Sequence, residues 1–567
     1  MKMRALAIGA IASGALALAA CDGMFTSSDD GALDIPEVEA GELSLETMQD
    51  ITRELSSDAF AGRMPGTQGE ELTVALLSER FAAAGLQPGN GNSWVQEVPL
   101  VEITGSNFAP LSITGAGIDL AYDYGSEWVG VTYREDPQTE LADSELVFVG
   151  YGINAPERGW NDYEGVDVTG KTVVILVNDP DWETEGLEGT FGGRAMTYYG
   201  RWTYKYEEAA RQGAAGAIIV HDTEPASYGW NVVESSWSGA QAYPQRGDNA
   251  PPLTIMNGWV QKDVAREILS AADMDLDALS AAAKTEEFEA VELGLVVSTN
   301  FENSFRNFTS QNVIGILPGT EAPDEYVIHT AHWDHLGICN PPAPDGDNIC
   351  NGAVDNATGT AALVALAEAH AQAGAPRRSL VFLAVTAEES GLIGSAYYGS
   401  NPIFPLDQTV GGINMDAFQV MPEARDVVVV GGGKSQLDLF LDAALTTSGR
   451  VTTPDPTPEA GYYYRSDHFS LAKQGVPMFY LRDGQDLLDG GKEAGAAINT
   501  DYRANRYHGP KDEYDENWDW SGVLSNLQLF YRLGRMLGDS TSWPNWNEGD
   551  EFRGIRDESC ASADTGC

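Results

Sequence analysis

The sequence predicts an α/β fold with an inserted β-rich region. In the α/β part, helices lie on both faces of a sheet whose central strands are mostly parallel. From about residue 310 onward, short apolar runs typical of buried strands alternate with helical stretches, as a parallel sheet requires. Between about residues 100 and 295, β-rich runs separated by Gly, Pro, Asn and Asp turns replace that alternation. This change of pattern indicates a separate unit inserted into the α/β part.

The chain is acidic and long enough for two or three domains. Its 567 residues include 33 Lys and Arg against 85 Asp and Glu, a formal net charge of −52. This balance argues against a nucleic-acid partner, because phosphate binding needs a basic stripe that the sequence lacks. With 43% hydrophobic and 9% aromatic residues, the chain has the composition of a folded protein.

The N-terminus has the features of an export signal. Two basic residues precede the apolar stretch from Ala5 to Ala20, which is too short for a transmembrane helix. It ends in Leu-Ala-Ala-Cys21, which resembles the bacterial lipobox, where cleavage precedes a lipidated cysteine. We therefore expect a signal peptide at 1–20, a membrane anchor on Cys21, a polar tether at 21–43 and a location facing the periplasm. Secretion without an anchor is the alternative.

The α/β part is expected at residues 44–105 and 296–540, followed by a C-terminal tail at 541–567. Its first segment, Leu43 to Leu86, has a helical pattern, and Thr358–Gln372 predicts a further helix. Apolar runs predict strands at Tyr326–His329, Leu380–Val385, Gly411–Ile413, Val427–Val430 and Val476–Tyr480.

The inserted region is expected at residues 106–295 and lacks any cluster of His, Cys or paired carboxylates at metal-ligand spacing. A binding or access-limiting role is therefore expected rather than chemistry. The segments Val147–Asn154, Asp162–Lys171 and Lys205–His221 resemble a protease-associated (PA) domain, with a core at about residues 135–290. Such domains are inserted in several types of peptidase and do not by themselves assign an activity.

Four cysteines remain once Cys21 is set aside, an even number in a chain expected to be exported. Pairing of Cys339 with Cys350 and of Cys560 with Cys567 is the simplest of the three possible connectivities. The first pair would cross-link a loop between two candidate ligand motifs, at the rim of the expected cleft.

Ionisable residues follow three of the predicted strands at the point where each strand ends. They are His332, Asp334 and His335 after the first strand, Glu388 and Glu389 after the second, and Asp416 after the third. Ligands of open α/β sheets bind at the carboxyl ends of the strands, so we expect these side chains to share one crevice. Asp355, which opens a helix after a Gly-rich loop, can join them.

Six short motifs around these residues occur in order along the chain. They are His332-x-Asp334-His335, Gly352-Ala-Val-Asp355-Asn356, Glu388-Glu389, Asn414-Met-Asp416, Ser466-Asp467-His468 and Tyr507-His508-x-Pro510. The set resembles the M28 family of co-catalytic zinc peptidases, which includes PA-containing aminopeptidases. The resemblance covers residues 45–90 and 300–535, with Ser56–Gly69 similar to the family's entry segment, and implies a zinc-peptidase-like fold.

The resemblance implies two zinc ions (Zn2+) per subunit and a role for each matching residue. The implied metal ligands are His332, Asp355, Glu389, Asp416 and His508, with Asp355 bridging both ions and the division of the others left open. Glu388 matches the general base, Asp334 the partner that orients His332, and Tyr507 a position that hydrogen-bonds the oxyanion. His468 is expected beside the site, and His335 is a weaker candidate ligand than His332. The implied ligands are His, Asp and Glu side chains without a thiolate. Such a set leaves a coordination position open for water, as a catalytic zinc site needs.

These residues predict an aminopeptidase that removes N-terminal residues from peptides. A carboxypeptidase of the same family is the first alternative, since Arg465 beside the Ser-Asp-His motif offers a partner for a substrate carboxylate. A single-zinc glutaminyl cyclase is another alternative. Those related proteins do not need all five ligand positions, which are intact in this sequence. A catalytically inactive binding protein is a further alternative, against which the intact Glu388 and ligand set argue.

Overall fold

The computed structural model describes residues 33–247, 250–339 and 346–562. The predicted signal peptide, the candidate lipidation site Cys21 and the predicted disulfide partner Cys567 lie outside these residues. Within the described ranges, no helix combines the length and the apolar character needed to cross a bilayer.

The centre of the α/β unit is a sheet whose four middle strands run parallel. In spatial order its strands are Val291–Leu317, Arg378–Val385, Ala322–His332, Thr409–Asn414, Met478–Asp483, Asp426–Val429 and Val451–Pro454. The first strand joins the parallel group antiparallel, as does Asp426–Val429 on the opposite side. The predicted mostly parallel sheet is therefore confirmed.

Helices pack on both faces of this sheet, because its central strands bury both faces. Every residue of Arg378–Val385 is buried. In the neighbouring strand Ala322–His332, Val327 packs into a large core on one face of the sheet. The next residue, Ile328, packs into a second core on the other face. The helices of the α/β unit are Leu45–Leu55, Gln68–Ala83, Gly359–Gln372, Ile393–Ser400, Leu437–Ser448, His468–Ala472, Gly491–Asn505, Ser521–Asp539 and Arg553–Ser562.

The inserted region is β-rich and has hydrophobic cores of its own. Its strands are Leu111–Gly115, Ile118–Tyr122, Trp128–Val131, Gln138–Phe148, Thr172–Leu176, Gly216–His221, Ala240–Pro244 and Met256–Gln261. The strand Val95–Ser106 precedes them and ends at the expected boundary at 105/106. Its helices are Trp202–Arg211, Thr223–Ala226, Trp230–Ser236, Lys262–Ala271 and Leu276–Ala282. The long strand Val291–Leu317 crosses the expected boundary at 295/296 and pairs with strands of both units. The resemblance to a PA domain stays a prediction.

Both ends of the described chain pack more closely than a tether and a tail would. Asp34 hydrogen-bonds Thr541, and Leu33 packs against the large core. Trp546 is fully buried and donates its indole N–H to the carbonyl of Gly475 over 2.8 Å. The expected tether therefore does not extend freely to residue 43, and the expected tail contributes to the α/β unit.

Candidate active site

The parallel register brings three strand ends to one edge of the sheet. Ala322–His332 lies between Arg378–Val385 and Thr409–Asn414 and is parallel to both. Each strand is followed within three residues by a predicted site residue, so the candidate side chains converge at the carboxyl edge. The crevice predicted from the sequence is present.

The first candidate ligand group consists of His332, Asp355 and Asp416. His332 Nε2 lies 3.2 Å from Asp355 Oδ1 and 3.3 Å from Asp416 Oδ1. All three residues come from different segments of the chain, and His332 is fully buried.

The second candidate group is built around Glu389 and shares Asp355 with the first. His508 Nε2 lies 3.1 Å from Glu389 Oε2 and 3.3 Å from Asp355 Oδ2. Each carboxylate oxygen of Asp355 therefore faces a different histidine. Asp355 is thus common to both groups, and the second holds Glu389 with two candidate imidazoles, His335 and His508. The sequence left this division open.

His335 also belongs to this second region, where its Nδ1 lies 2.5 Å from Glu389 Oε1. His335 and His332 contact different carboxylates, so the two rings do not face the same ligand group. His335 instead contacts Glu389 on the oxygen that His508 does not approach.

The two groups fit zinc. Two ligand atoms bound at about 2.0–2.1 Å to one tetrahedral zinc lie about 3.3–3.4 Å apart. The imidazole–carboxylate spacings of 3.1–3.3 Å in both groups match this value. Burial raises the pKa of Asp355, but hydrogen bonds from His332 and His508 outweigh it and leave the pKa well below its ordinary value.

Glu388 lies beside the first group without belonging to either group. Its Oε2 is 4.0 Å from His332 Nε2, and its side chain is 11% exposed. Burial, together with the negative charges of Asp416 and Glu389, raises the pKa of Glu388 well above its ordinary value. A carboxyl group with a raised pKa at the edge of a metal site is suited to accept and return a proton.

Asp334 contacts His332 in a different way from the one predicted. The ring of His332 faces the main-chain carbonyl of Asp334, with Nδ1 3.2 Å from that oxygen and 3.8 Å from the nearest carboxylate oxygen. The carboxylate instead accepts the main-chain N–H groups of Glu388 and Glu389 over 3.0 and 3.4 Å. Asp334 therefore orients the imidazole through its backbone and the two glutamates through its side chain.

Asp416 is held by Ser466, a residue of the Ser466-Asp467-His468 motif to which the sequence assigned no role. Ser466 donates its hydroxyl to Asp416 Oδ2 over 2.5 Å and accepts the side-chain N–H of Asn414 over 2.6 Å. Such contacts fix the orientation of a ligand carboxylate. His468, expected beside the site, is fully buried and packs between Tyr463 and Tyr480 rather than touching a ligand.

Tyr507 stacks on His508 with ring centroids 3.9 Å apart and stays 40% exposed. The ring thus lies beside the second group and reaches solvent. The role of its hydroxyl toward an oxyanion stays a prediction.

Three arginines surround one aromatic ring next to the ligand groups. The guanidinium carbons of Arg465, Arg482 and Arg503 lie 5.3, 4.6 and 5.2 Å from the ring centroid of Tyr462. None of the three forms an ion pair with a carboxylate in the described part of the chain, although the protein has 85 acidic residues. Arg465 directly precedes Ser466, which binds Asp416, so the cluster adjoins the first group.

Two buried residues behind the site were also missed by the sequence reading. Arg63 and Asp512 are both fully buried and hydrogen-bond the loop that leads to Asp355. Arg63 lies in the segment that resembles the family's entry segment, and Asp512 follows His508 by four residues. Those positions in the sequence were the signals that could have pointed to the two residues. The residue types themselves, Arg and Asp, do not predict a buried contact.

The predicted disulfide between Cys339 and Cys350 is present, with Cα atoms 5.7 Å apart. It closes a loop between the segment of His335 and the segment of Asp355. The predicted pair Cys560–Cys567 includes a residue outside the described ranges and stays a prediction.

Several curated proteins match part of the chain. Aminopeptidase NAALADL1 of Mus musculus is 34% identical over 129 residues, 22% of this chain and 16% of the relative. A glutamate carboxypeptidase 2 homolog of Caenorhabditis elegans is 33% identical over 132 residues, with the same coverage of 22% and 16%. The chain thus spans only 16% of the length of these curated relatives.

Solved structures resemble the chain over most of its length at low identity. An aminopeptidase from Aneurinibacillus sp. strain AM-1 has a TM-score of 0.46 and 20% identity, covering 87% of this chain and 93% of that one. BSAP, a zinc aminopeptidase from Bacillus subtilis, has a TM-score of 0.43 and 18% identity, covering 90% and 100%.

The family model that matches spans the whole candidate site. Residues 312–532 match the model of Peptidase family M28, a range that contains both ligand groups and Glu388. The order of the six motifs and the family match agree. Residues 312–532, which hold the candidate ligands, therefore match peptidase family M28.

Proposed function

We propose that the protein is an exported, lipid-anchored metallopeptidase that removes N-terminal residues from peptides and uses two zinc ions. The observation that carries this proposal is the sharing of Asp355, with one oxygen toward His332 and the other toward His508. Two adjacent three-residue groups joined by one carboxylate are suited to a pair of ions acting together.

Zinc bound in these groups supplies a Lewis acid that polarises a scissile carbonyl and lowers the pKa of water. The first group would hold one ion through His332 and Asp416, the second the other through Glu389 and His508, with Asp355 between them. The absence of thiolates from this set favours a catalytic over a structural site.

The remaining steps fall to residues of the chain. Glu388 accepts a proton from the attacking water and then donates it to the leaving amine, for which its raised pKa is suited. Tyr507 donates a hydrogen bond to the oxygen on which negative charge develops. Asp334 keeps Glu388 and Glu389 in place through their main-chain N–H groups.

Export and anchoring are proposed from the apolar stretch Ala5–Ala20 and from Cys21. The disulfide between Cys339 and Cys350 supports an oxidising compartment such as the periplasm. Metabolic labelling with a fatty acid tests the anchor. Label on the wild-type chain and none on Cys21→Ser is the expected result, and an unlabelled, freely secreted wild type contradicts it.

The peptidase proposal is tested on a pool of peptides with free or blocked ends. The enzyme is a soluble form of the chain that begins after Cys21, compared with Glu388→Gln and with the exposed-residue control Glu516→Gln. We expect mass spectrometry to find ladders shortened only from free N-termini, absent for Glu388→Gln and present for the control. No shortening with zinc, cobalt or manganese would overturn the proposal and favour a binding role.

A carboxypeptidase is the second candidate, and the arginines around Tyr462 favour it. Guanidinium groups without an acidic partner are suited to bind a substrate carboxylate. Peptides with an amidated C-terminus separate the two candidates. Amidation protects peptides from a carboxypeptidase, whereas acetylation of the N-terminus protects them from an aminopeptidase.

A further inference from the structure

The loop Asn351–Asp355 carries the shared ligand and is held on its carbonyl side by one buried arginine. The guanidinium of Arg63 donates to the carbonyls of Asn351 and Gly352 over 2.6 and 2.9 Å. It also donates to the carbonyl of Trp333, the residue after His332, over 2.9 Å, and to that of Leu55 over 2.7 Å. One side chain thus joins the segments of two candidate ligands.

The same loop is held on its amide side by Asp512. The carboxylate of Asp512 accepts the main-chain N–H groups of Val354 over 3.1 Å and Asp355 over 3.0 Å. It also accepts the hydroxyl of Tyr502 over 3.1 Å, and the main-chain carbonyl of Asp512 accepts the N–H of Ala353 over 3.0 Å. Because Asp512 lies four residues after His508, this contact ties the third ligand segment to the loop.

The loop has little freedom to take another shape. Gly352 adopts a positive φ of +53°, and a Cβ there would lie 2.5 Å from the ring of His335 and 2.2 Å from the carbonyl of Asp355. Arg63 is fully buried and faces the charges of Asp334, Asp355 and Asp512. Burial lowers its pKa to about 10, so the guanidinium stays charged at neutral pH.

We propose that Arg63 and Asp512 are positioning residues that fix Asp355 and the two histidine segments in ligand geometry before zinc binds. The inference rests on the proposed di-zinc site. Arg63 satisfies the carbonyls of the loop and Asp512 its amides, so loss of either frees Asp355 to move relative to His332 and His508. Their loss then weakens zinc binding at both groups, since Asp355 belongs to each.

The test measures zinc affinity by competition with a chromophoric chelator in wild type, Arg63→Lys and Asp512→Asn. Arg556→Lys is the matched control, because Arg556 is also a buried arginine directed at main-chain carbonyls, those of Leu406 and Val410, away from the site. We expect dissociation constants for zinc to rise at least about tenfold in both site variants and not in the control. We also expect saturating zinc to restore kcat in both.

Thermal unfolding of chelator-treated protein separates positioning from general stability. We expect the zinc-free variants to melt within a few degrees of Arg556→Lys. Unchanged zinc affinity in Asp512→Asn, or in a folded Arg63→Lys, would overturn this inference. The substituted residue would then have only a structural role. A wild type that binds no zinc would overturn the proposed function instead.

Discussion

Glu388 and Glu389 are neighbours in the chain, yet their carboxylates serve different parts of the site. Glu389 Oε2 lies 3.1 Å from His508 Nε2, whereas Glu388 Oε2 lies 4.0 Å from His332 Nε2 and belongs to neither ligand group. Successive side chains after a strand point in different directions, so one segment delivers a ligand and a base together. The carboxylate of Asp334 accepts hydrogen bonds from the main-chain N–H groups of both glutamates.

This arrangement predicts opposite defects for two adjacent substitutions. Glu388→Gln is expected to bind zinc as wild type does but to lose at least about a thousandfold in kcat, because the proton acceptor is gone. Glu389→Gln is expected to lose zinc from the second group, since an amide is a poorer ligand than a carboxylate. Zinc content after dialysis and kcat at saturating zinc measure both effects. Equal zinc loss in the two variants would contradict the assignment.

Ser466→Ala is expected to affect the first group alone. Removing the hydroxyl takes away the hydrogen bond to Asp416 Oδ2, so zinc affinity at that group should fall about 10–100-fold. Titration of metal-free enzyme should resolve one weakened and one unchanged binding step. Ser525→Ala, which removes a hydroxyl bonded to Glu423 instead, is the control. Two weakened steps would show that the hydroxyl acts on the whole site.

The carboxypeptidase candidate predicts a charge-specific effect at the arginine cluster. Arg465→Met or Arg482→Met should raise KM about 10–100-fold for peptides with a free C-terminal carboxylate, because a hydrogen bond to a charged group contributes about 1.5–3 kcal/mol. The KM for C-terminal amides should stay unchanged. Arg80→Met, a partly exposed arginine of Gln68–Ala83, is the control. An equal rise for acids and amides would argue against carboxylate binding.

Acid is expected to destabilise the α/β unit through His329 and His370. Both are fully buried, and burial lowers the pKa of His329 to about 3 and that of His370 well below its ordinary value. The folded protein then binds fewer protons than the unfolded chain, so stability is complete above pH about 6.5 and falls as the pH drops toward 3. The loss of unfolding free energy from His329 should be about 1.4 kcal/mol per pH unit in that window, and His370 should add to it.

Urea unfolding of chelator-treated protein at a series of pH values measures this loss. His370→Phe, which keeps an aromatic ring against Tyr531, should unfold with a shallower pH dependence than wild type between pH 6.5 and 4. Parallel curves for the two proteins would rule out His370 as a source of the acid sensitivity.

Much of the fold and site follows from local sequence. Alternating apolar runs and helices predicted the parallel sheet, and the position of His332, Glu389 and Asp416 just after strands predicted a shared crevice. These inferences hold because neighbouring parallel strands place their carboxyl ends at one edge, whatever their order. The disulfide between Cys339 and Cys350 was predictable because the pairing is local.

The sequence alone determined the residue types of the site, the strands that present them and the likeness to a zinc peptidase. The tertiary structure decided how the ligands divide about Asp355, that Asp334 faces His332 through its backbone, and that Arg63 and Asp512 hold the central loop. It also decided that Leu33 and Trp546 pack onto the α/β unit. The physical reason is separation along the chain: contacts between residues hundreds of positions apart depend on strand order and burial, which no local pattern encodes.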